Sequence, residues 1–176
     1  MLTSKINFKN FKIGKQKNIK NFRNETWFKK IKLLNTLKSS YEYSYTKNQI
    51  RKIKKNKNFR IIGIGGSTLG IEAIYQFLNH KIKKKFIFIN NLNPKLQNDE
   101  KKIKATNIVI SKSGNTLETI VNSNLFINQK KNIFITENKE SYLKNLATNL
   151  KAEVIEHKNY IGGRYSVLSV GWNVAC

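Results

Sequence analysis

Ser111 to Thr119 reads Ser-Lys-Ser-Gly-Asn-Thr-Leu-Glu-Thr, immediately after the apolar run Ile108-Val109-Ile110. Small and hydroxyl-bearing side chains at the junction of a strand and a helix suit a phosphate group. Hydroxyls and backbone N–H groups donate to its oxygens, and the positive end of the helix dipole favours its charge. Asn115 is placed to cap the helix, and Glu118 three residues on completes a capping-box pattern. Leu117, Ile120, Val121 and Leu125 follow at helical spacing. An ordinary polar loop before a capped helix needs the same residues, so the stretch alone leaves both readings open. Lys112 is equally open: it is one of many surface lysines, or it serves a ligand through its backbone N–H. A nucleotide P-loop is excluded, because no G-x-x-x-x-G-K-[ST] occurs in the chain.

Two further clusters carry potential chemistry. Gly63-Ile64-Gly65-Gly66-Ser67 permits close backbone approach to a ligand, although a tight strand-to-helix turn would account for its glycines as well. It is not the dinucleotide fingerprint: the spacing is G-x-G-G-S-x-x-G, and the next strand ends in Asn90-Asn91 without an acid for a ribose. The third cluster is Gly162-Gly163-Arg164. The only arginines are Arg23, Arg51, Arg60 and Arg164, in a chain otherwise saturated with lysine. A generic charge would have been lysine, so a planar guanidinium at 164 suggests either stabilisation of a developing oxyanion or a buried salt bridge.

Regular elements must hold these clusters. Apolar runs at 59–64, 86–89, 108–110, 133–136 and 153–155 predict five strands. Between them lie helical repeats: Leu69, Ala73, Ile74 and Phe77 in one, and Leu143, Leu146, Ala147 and Leu150 in another. This alternation predicts an α/β fold, a doubly wound parallel sheet of about five strands flanked by helices. All three clusters then fall beyond carboxyl ends of strands, where such sheets bind ligands. Residues 1 to about 24 read as a polar arm with a short strand or hairpin near Ile6 to Ile13, and 26–38 as a helix with Trp27, Ile31 and Leu34 on one face. Arg51 to Asn58 reads as a solvated helix end and linker, and the segment from Asn90 to Thr106, with Pro94, as the least regular part. The expected organisation is an arm and helix over 1–50 and the sheet domain over 51–176.

Composition bounds the function. The chain has 176 residues and a formal net charge of +24. Its lysines are spread among asparagines and isoleucines rather than gathered on one face, as an AT-rich coding sequence would produce. A nucleic-acid partner is therefore not expected. A lone Cys176 cannot form an internal disulfide, and no apolar run approaches the length of a membrane span, so the expected location is the cytoplasm and no membrane partner is expected.

GIGGS-x-LG, SKSG-x-T-x-E and GGRYSVLS, in this order, resemble the glucose-6-phosphate isomerase (phosphoglucose isomerase) family of sugar-isomerase-type, phosphosugar-binding folds. The resemblance runs from about Phe59 to Val170, roughly the first of two such domains, and Ile135 to Ala147 looks like the family's strand–helix between the second and third motifs. It implies that Ser67, Ser111, Ser113 and Thr116 hold a sugar phosphate with backbone help from Gly66 and Lys112. It implies that Arg164 steadies an enediolate during exchange of glucose 6-phosphate and fructose 6-phosphate, a step of glycolysis and gluconeogenesis. The partner would be a hexose monophosphate, full-length members would be homodimers, and no metal or organic cofactor is implied.

The family's proton-shuttling glutamate, ring-opening histidine and C-terminal lysine lie downstream of the third motif and have no counterpart here. Glu118 and Glu137 are expected to be capping or strand-end residues, and His80 and His157 surface or loop residues. The tail from Val170 to Cys176 reads as the family's Gly-Met-Leu-Pro-Ala segment translated one nucleotide out of frame. The expectation is therefore an inactive isomerase fragment, with a non-catalytic phosphosugar-binding or regulatory module as the alternative.

Overall fold

The computed structural model describes residues 31–93, 102–127 and 131–166. The arm, the hairpin near Ile6, the first part of the helix expected over 26–38, residues 94–101 of the irregular segment around Pro94, and the tail lie outside the described residues. The chain divides into two compact units, 1–39 and 40–176. In the first, Lys32–Leu37 forms a 3-10 turn rather than the end of an α-helix.

In the second unit the order is α1 (Lys47–Lys54), β1 (Asn58–Ile62), α2 (Leu69–Leu78), β2 (Lys85–Ile89), β3 (Thr106–Ile110), α3 (Leu117–Phe126), β4 (Asn132–Thr136), α4 (Tyr142–Asn149) and β5 (Glu153–Glu156). All five expected strands are present. They form one parallel sheet in the order β2-β1-β3-β4-β5. Ile61 registers with Phe88 on one side and Ile108 on the other, and Ile108 with Ile133.

A strand presents alternate residues to opposite faces, and here both faces are apolar, as a sheet covered on two sides requires. Phe59, Ile61, Ile108, Ile110, Ile133 and Ile135 pack with Ile53 of α1 and Ile71 of α2. Ile62, Val109 and Phe134 pack with Phe126 of α3 and Leu143 and Ala147 of α4. The fold is doubly wound. The Lys-rich segment at 51–58 is the end of α1 and its turn, solvated except for Ile53.

Two helix faces differ from their expected stripes. In α2, Leu69 and Phe77 are exposed, while Ile71 is buried and Tyr75 packs beside it. This helix, Leu-Gly-Ile-Glu-Ala-Ile-Tyr-Gln-Phe-Leu, is apolar around most of its circumference, so spacing cannot choose its buried side. In α3, Ile120 and Leu125 pack against the core as expected, but Leu117 is 67% exposed and Val121 is exposed too, whereas Thr119, Asn122, Ser123 and Phe126 are buried. Hydrogen bonds anchor that polar side: Asn122 Nδ2 donates to Asn91 O (3.3 Å), and Asn107 Nδ2 to Phe126 O (2.9 Å). Paired polar groups can be buried at little cost, and they set the rotation of the helix here. In α4 the expected face holds for Leu143 and Ala147, with Leu150 exposed.

Candidate functional site

The strand order reverses between β1 and β3: the chain leaves β1 toward β2 on one side and β3 toward β4 on the other. Side-by-side strands whose connections diverge leave a crevice beyond their carboxyl ends. The Gly63–Ser67 cluster follows β1 and the Ser111–Thr116 cluster follows β3, so the two face each other across it. The third cluster arrives from β5 as a 3-10 turn, Gly163–Tyr165. Ile64, Gly66, Ser67, Lys112, Ser113, Thr116, Glu137, Lys139 and Gly163 line one cavity of about 410 Å³.

Gly66 is what allows the first and third clusters to meet. A Cβ on it would stand 2.6 Å from Gly163 C and 2.7 Å from Arg164 N, both backbone atoms that cannot swing aside. Gly66→Ala therefore has to part the two turns at an overpacking cost of about 1–3 kcal/mol. We expect the substitution to weaken binding of inorganic phosphate at this cavity about 10- to 100-fold with the core intact. Calorimetry beside a thermal melt measures both, and unchanged affinity would refute the close packing.

The loop after β3 is built differently from its sequence expectation. Asn115 does not cap α3, and no capping box with Glu118 forms. The N-cap is Thr116, and no side chain caps the helix. Asn115 instead turns to α4, where its Oδ1 accepts from Tyr142 N (2.8 Å) while Gly114 O accepts from Leu143 N (3.0 Å). Ser141, the N-cap of α4, accepts from Lys144 N. The start of α4 is thus satisfied by protein groups. The starts of α2 and α3, which border the crevice, have no side-chain cap. Uncapped N-termini present N–H donors and positive partial charge where an anion would sit.

The predicted site residues separate into three groups. Ser67, Ser113 and Thr116 put hydroxyl-bearing side chains on the cavity, and Gly66 and Lys112 line it as well. Ser111 is buried beneath the loop, where its Oγ accepts from Gly114 N (3.2 Å) and lies 3.0 Å from Thr116 Oγ1. It shapes the loop. Arg164 is exposed, with its backbone against Gly66 and its neighbour Gly163 on the cavity wall.

Glu137 and Lys139 also line the cavity, although no motif singled them out. Glu137 follows β4 and is nearly buried, with Oε1 3.5 Å from Lys112 Nζ and Oε2 2.9 Å from Lys139 Nζ. Burial pushes its pKa up, but the two lysines outweigh this and leave it below the usual carboxylate value. Glu137 and Lys139 stand two residues apart in one loop, and tertiary packing is what brings Lys112 to them.

His157, expected at the surface or in a loop, lies in the loop just after β5 but is only 2% exposed. Its backbone N–H extends the sheet by donating to Thr136 O (2.8 Å), which draws the ring inward. Burial lowers its pKa below the ordinary histidine value of 6.5, with the charge of Lys112 acting in the same direction. A buried neutral imidazole must take up a proton on unfolding in acid, so stability falls as pH drops below about 6.5. The lowered pKa of Glu137 adds a second loss at lower pH, as its carboxylate protonates. Thermal midpoints between pH 8 and pH 4 should show both steps, with His157→Gln removing the first; a flat profile would contradict the burial. His80, by contrast, is exposed as expected.

A second cavity of about 270 Å³ lies at the opposite end of the sheet, lined by Thr106, Asn132 and Glu153 at the amino ends of their strands and by Lys52, Lys131 and Lys151. None of the three clusters reaches it. Among the described residues, no helix is long and apolar enough to cross a membrane, and no group of His, Cys, Asp or Glu is arranged to hold a metal ion.

Comparison with known proteins agrees with this fold. A family model described as phosphoglucose isomerase matches residues 24–176. Glucose-6-phosphate isomerase of Borrelia garinii subsp. bavariensis is 37% identical over 136 residues, covering 66% of this chain and 25% of that protein. The chain thus spans about a quarter of the length of that curated relative. Among solved structures, a hypothetical protein of Thermus thermophilus superposes with a TM-score of 0.69 at 22% identity, covering 81% of this chain and 37% of the other. Tagatose-6-phosphate ketose/aldose isomerase of Escherichia coli superposes with a TM-score of 0.54 at 17% identity, covering 81% and 42%. At those identities the structures speak for the fold.

Proposed function

The chain belongs to the phosphoglucose isomerase family, and on that premise we propose that its cavity holds the phosphate of a hexose monophosphate. In this reading the chain is the phosphosugar-binding part of a glucose-6-phosphate isomerase, which interconverts glucose 6-phosphate and fructose 6-phosphate through an enediolate in glycolysis and gluconeogenesis. The observation that carries it is the meeting of all three clusters at one cavity on the switch point of the sheet. Hydroxyls of Ser67, Ser113 and Thr116, the backbone N–H groups of Gly66 and Lys112, and the uncapped start of α3 supply donors for a dianion. Ser111 holds the loop in that shape. Arg164 stands next to the wall, where a guanidinium on a flexible stem can reach an oxyanion on the sugar.

The cavity supports binding better than proton transfer. A general base works best with a pKa near the operating pH. The carboxylate on this cavity, Glu137, is pulled the other way and engaged by two lysines. This favours, as a second reading, a chain that binds phosphosugars without transforming them. Calorimetry with fructose 6-phosphate and a coupled isomerase assay on the same sample test both. We expect binding that weakens about tenfold in Ser113→Ala, the size of one hydrogen bond to a charged group, with no turnover. Absence of binding would overturn the phosphosugar reading, and turnover would overturn the claim that the cavity lacks a base.

A further inference from the structure

We infer that Lys139 is the cation that contacts the ligand's phosphate, and that Lys112, the lysine inside the motif, is a strut. The inference rests on the phosphosugar reading and assigns a residue to that site. Both lysines line the cavity, but their surroundings differ. Lys112 Nζ donates to Asn159 O at 2.8 Å and stands 3.5 Å from Glu137 Oε1. It thereby ties the loops that follow β3, β4 and β5 to one another. A side chain held by two partners on two other loops cannot leave for a ligand without loosening the wall of the cavity.

Lys139 has more freedom. Its side chain is 55% exposed against 33% for Lys112, and its ion pair is with Glu137 Oε2, at 2.9 Å. The lysine end of this pair faces solvent, so leaving it costs less than parting a fully buried pair. A phosphate dianion offers twice the charge and three acceptor oxygens, so exchanging the carboxylate for the phosphate is favourable. The backbone that carries Lys139 is fixed on both flanks. Glu137 N–H donates to Lys112 O (3.1 Å) on one side, and Ser141 caps α4 on the other. The turn thus presents a lysine at the cavity from a set position, and Glu137 keeps that lysine there while no anion is bound.

Titration calorimetry at low ionic strength, with fructose 6-phosphate and inorganic phosphate as separate probes, decides the matter. We expect Lys139→Met to weaken both probes about tenfold, as loss of one charge-assisted hydrogen bond would, and to flatten the dependence of affinity on salt. Lys139→Arg should keep affinity within a few-fold of the parent. Lys112→Met should lower the thermal midpoint, which Lys139→Met should leave in place. Parent-like binding by Lys139→Met, or loss confined to fructose 6-phosphate, would overturn this assignment while leaving the phosphosugar reading intact. So would loss of binding in Lys112→Met at an unchanged thermal midpoint. A parent chain that binds neither probe would overturn the reading and the assignment together.

Discussion

Gly114→Ala is expected to cost about 2–5 kcal/mol of stability and to destroy the loop that follows β3. Gly114 has φ +69°, in the left-handed region. An alanine there carries about 1–2 kcal/mol of backbone strain. A Cβ would also stand 2.6 Å from Ser141 Cβ and 2.9 Å from Thr136 Oγ1, in a buried position with no room to give. Overpacking of that kind adds about 1–3 kcal/mol. The damage spreads because Gly114 O and Asn115 Oδ1 cap α4, so a displaced loop strips that helix of two acceptors. Gly65 provides the control. Its φ is +57°, but nothing lies within 4 Å of where its Cβ would be, so Gly65→Ala carries only the strain of about 1–2 kcal/mol. Urea titrations of the two variants should rank them in that order. Equal midpoints would show that the loop yields to a side chain at 114.

Arg60→Ala is the second large effect, at about 3–5 kcal/mol. Arg60 lies in the middle of β1 and is fully buried. Its Nη1 donates to Asn107 Oδ1 at 2.7 Å and its Nη2 to Ile103 O at 2.9 Å, and the guanidinium stands 4.4 Å from the centre of the Phe126 ring. Asn107 continues the network to Asn132 Oδ1 and Phe126 O. Truncation leaves a cavity, one buried and one partly buried acceptor without their donor, and a ring without its cation. Arg60→Lys is expected to recover only part of the loss, because an ammonium cannot span the two acceptors as a planar fork does. Chemical denaturation measures both, and a loss under about 1 kcal/mol for Arg60→Ala would show that the network is dispensable.

Arg60 also shows where sequence reasoning stopped short. The scarcity of arginine among so many lysines marked Arg164, and the same argument applied with equal force to Arg60. The structure assigns the buried, fork-like role to Arg60 in the core and leaves Arg164 exposed at the rim. Nothing in composition could tell these two arginines apart.

Five apolar runs of strand length, separated by helical spacings, determined the α/β class and the parallel sheet from sequence alone. That pattern is local: period two and period 3.6 are properties of neighbouring residues, and both are written in the chain. The three glycine- and hydroxyl-rich clusters were equally legible, since each needs particular residue types at adjacent positions, and they meet at one cavity beyond the carboxyl ends of the strands. Tertiary structure alone decided the rest. Asn115 caps α4 rather than α3, α3 buries its polar side, His157 turns inward, and Glu137 with Lys139 completes the cavity wall. For Asn115, α3 and His157 the deciding partner lies far away in sequence, and Glu137, although paired with nearby Lys139, meets Lys112 only through the fold. Hydrogen bonds and ion pairs of that kind form only after the sheet has brought its loops to one edge, so no local pattern records them.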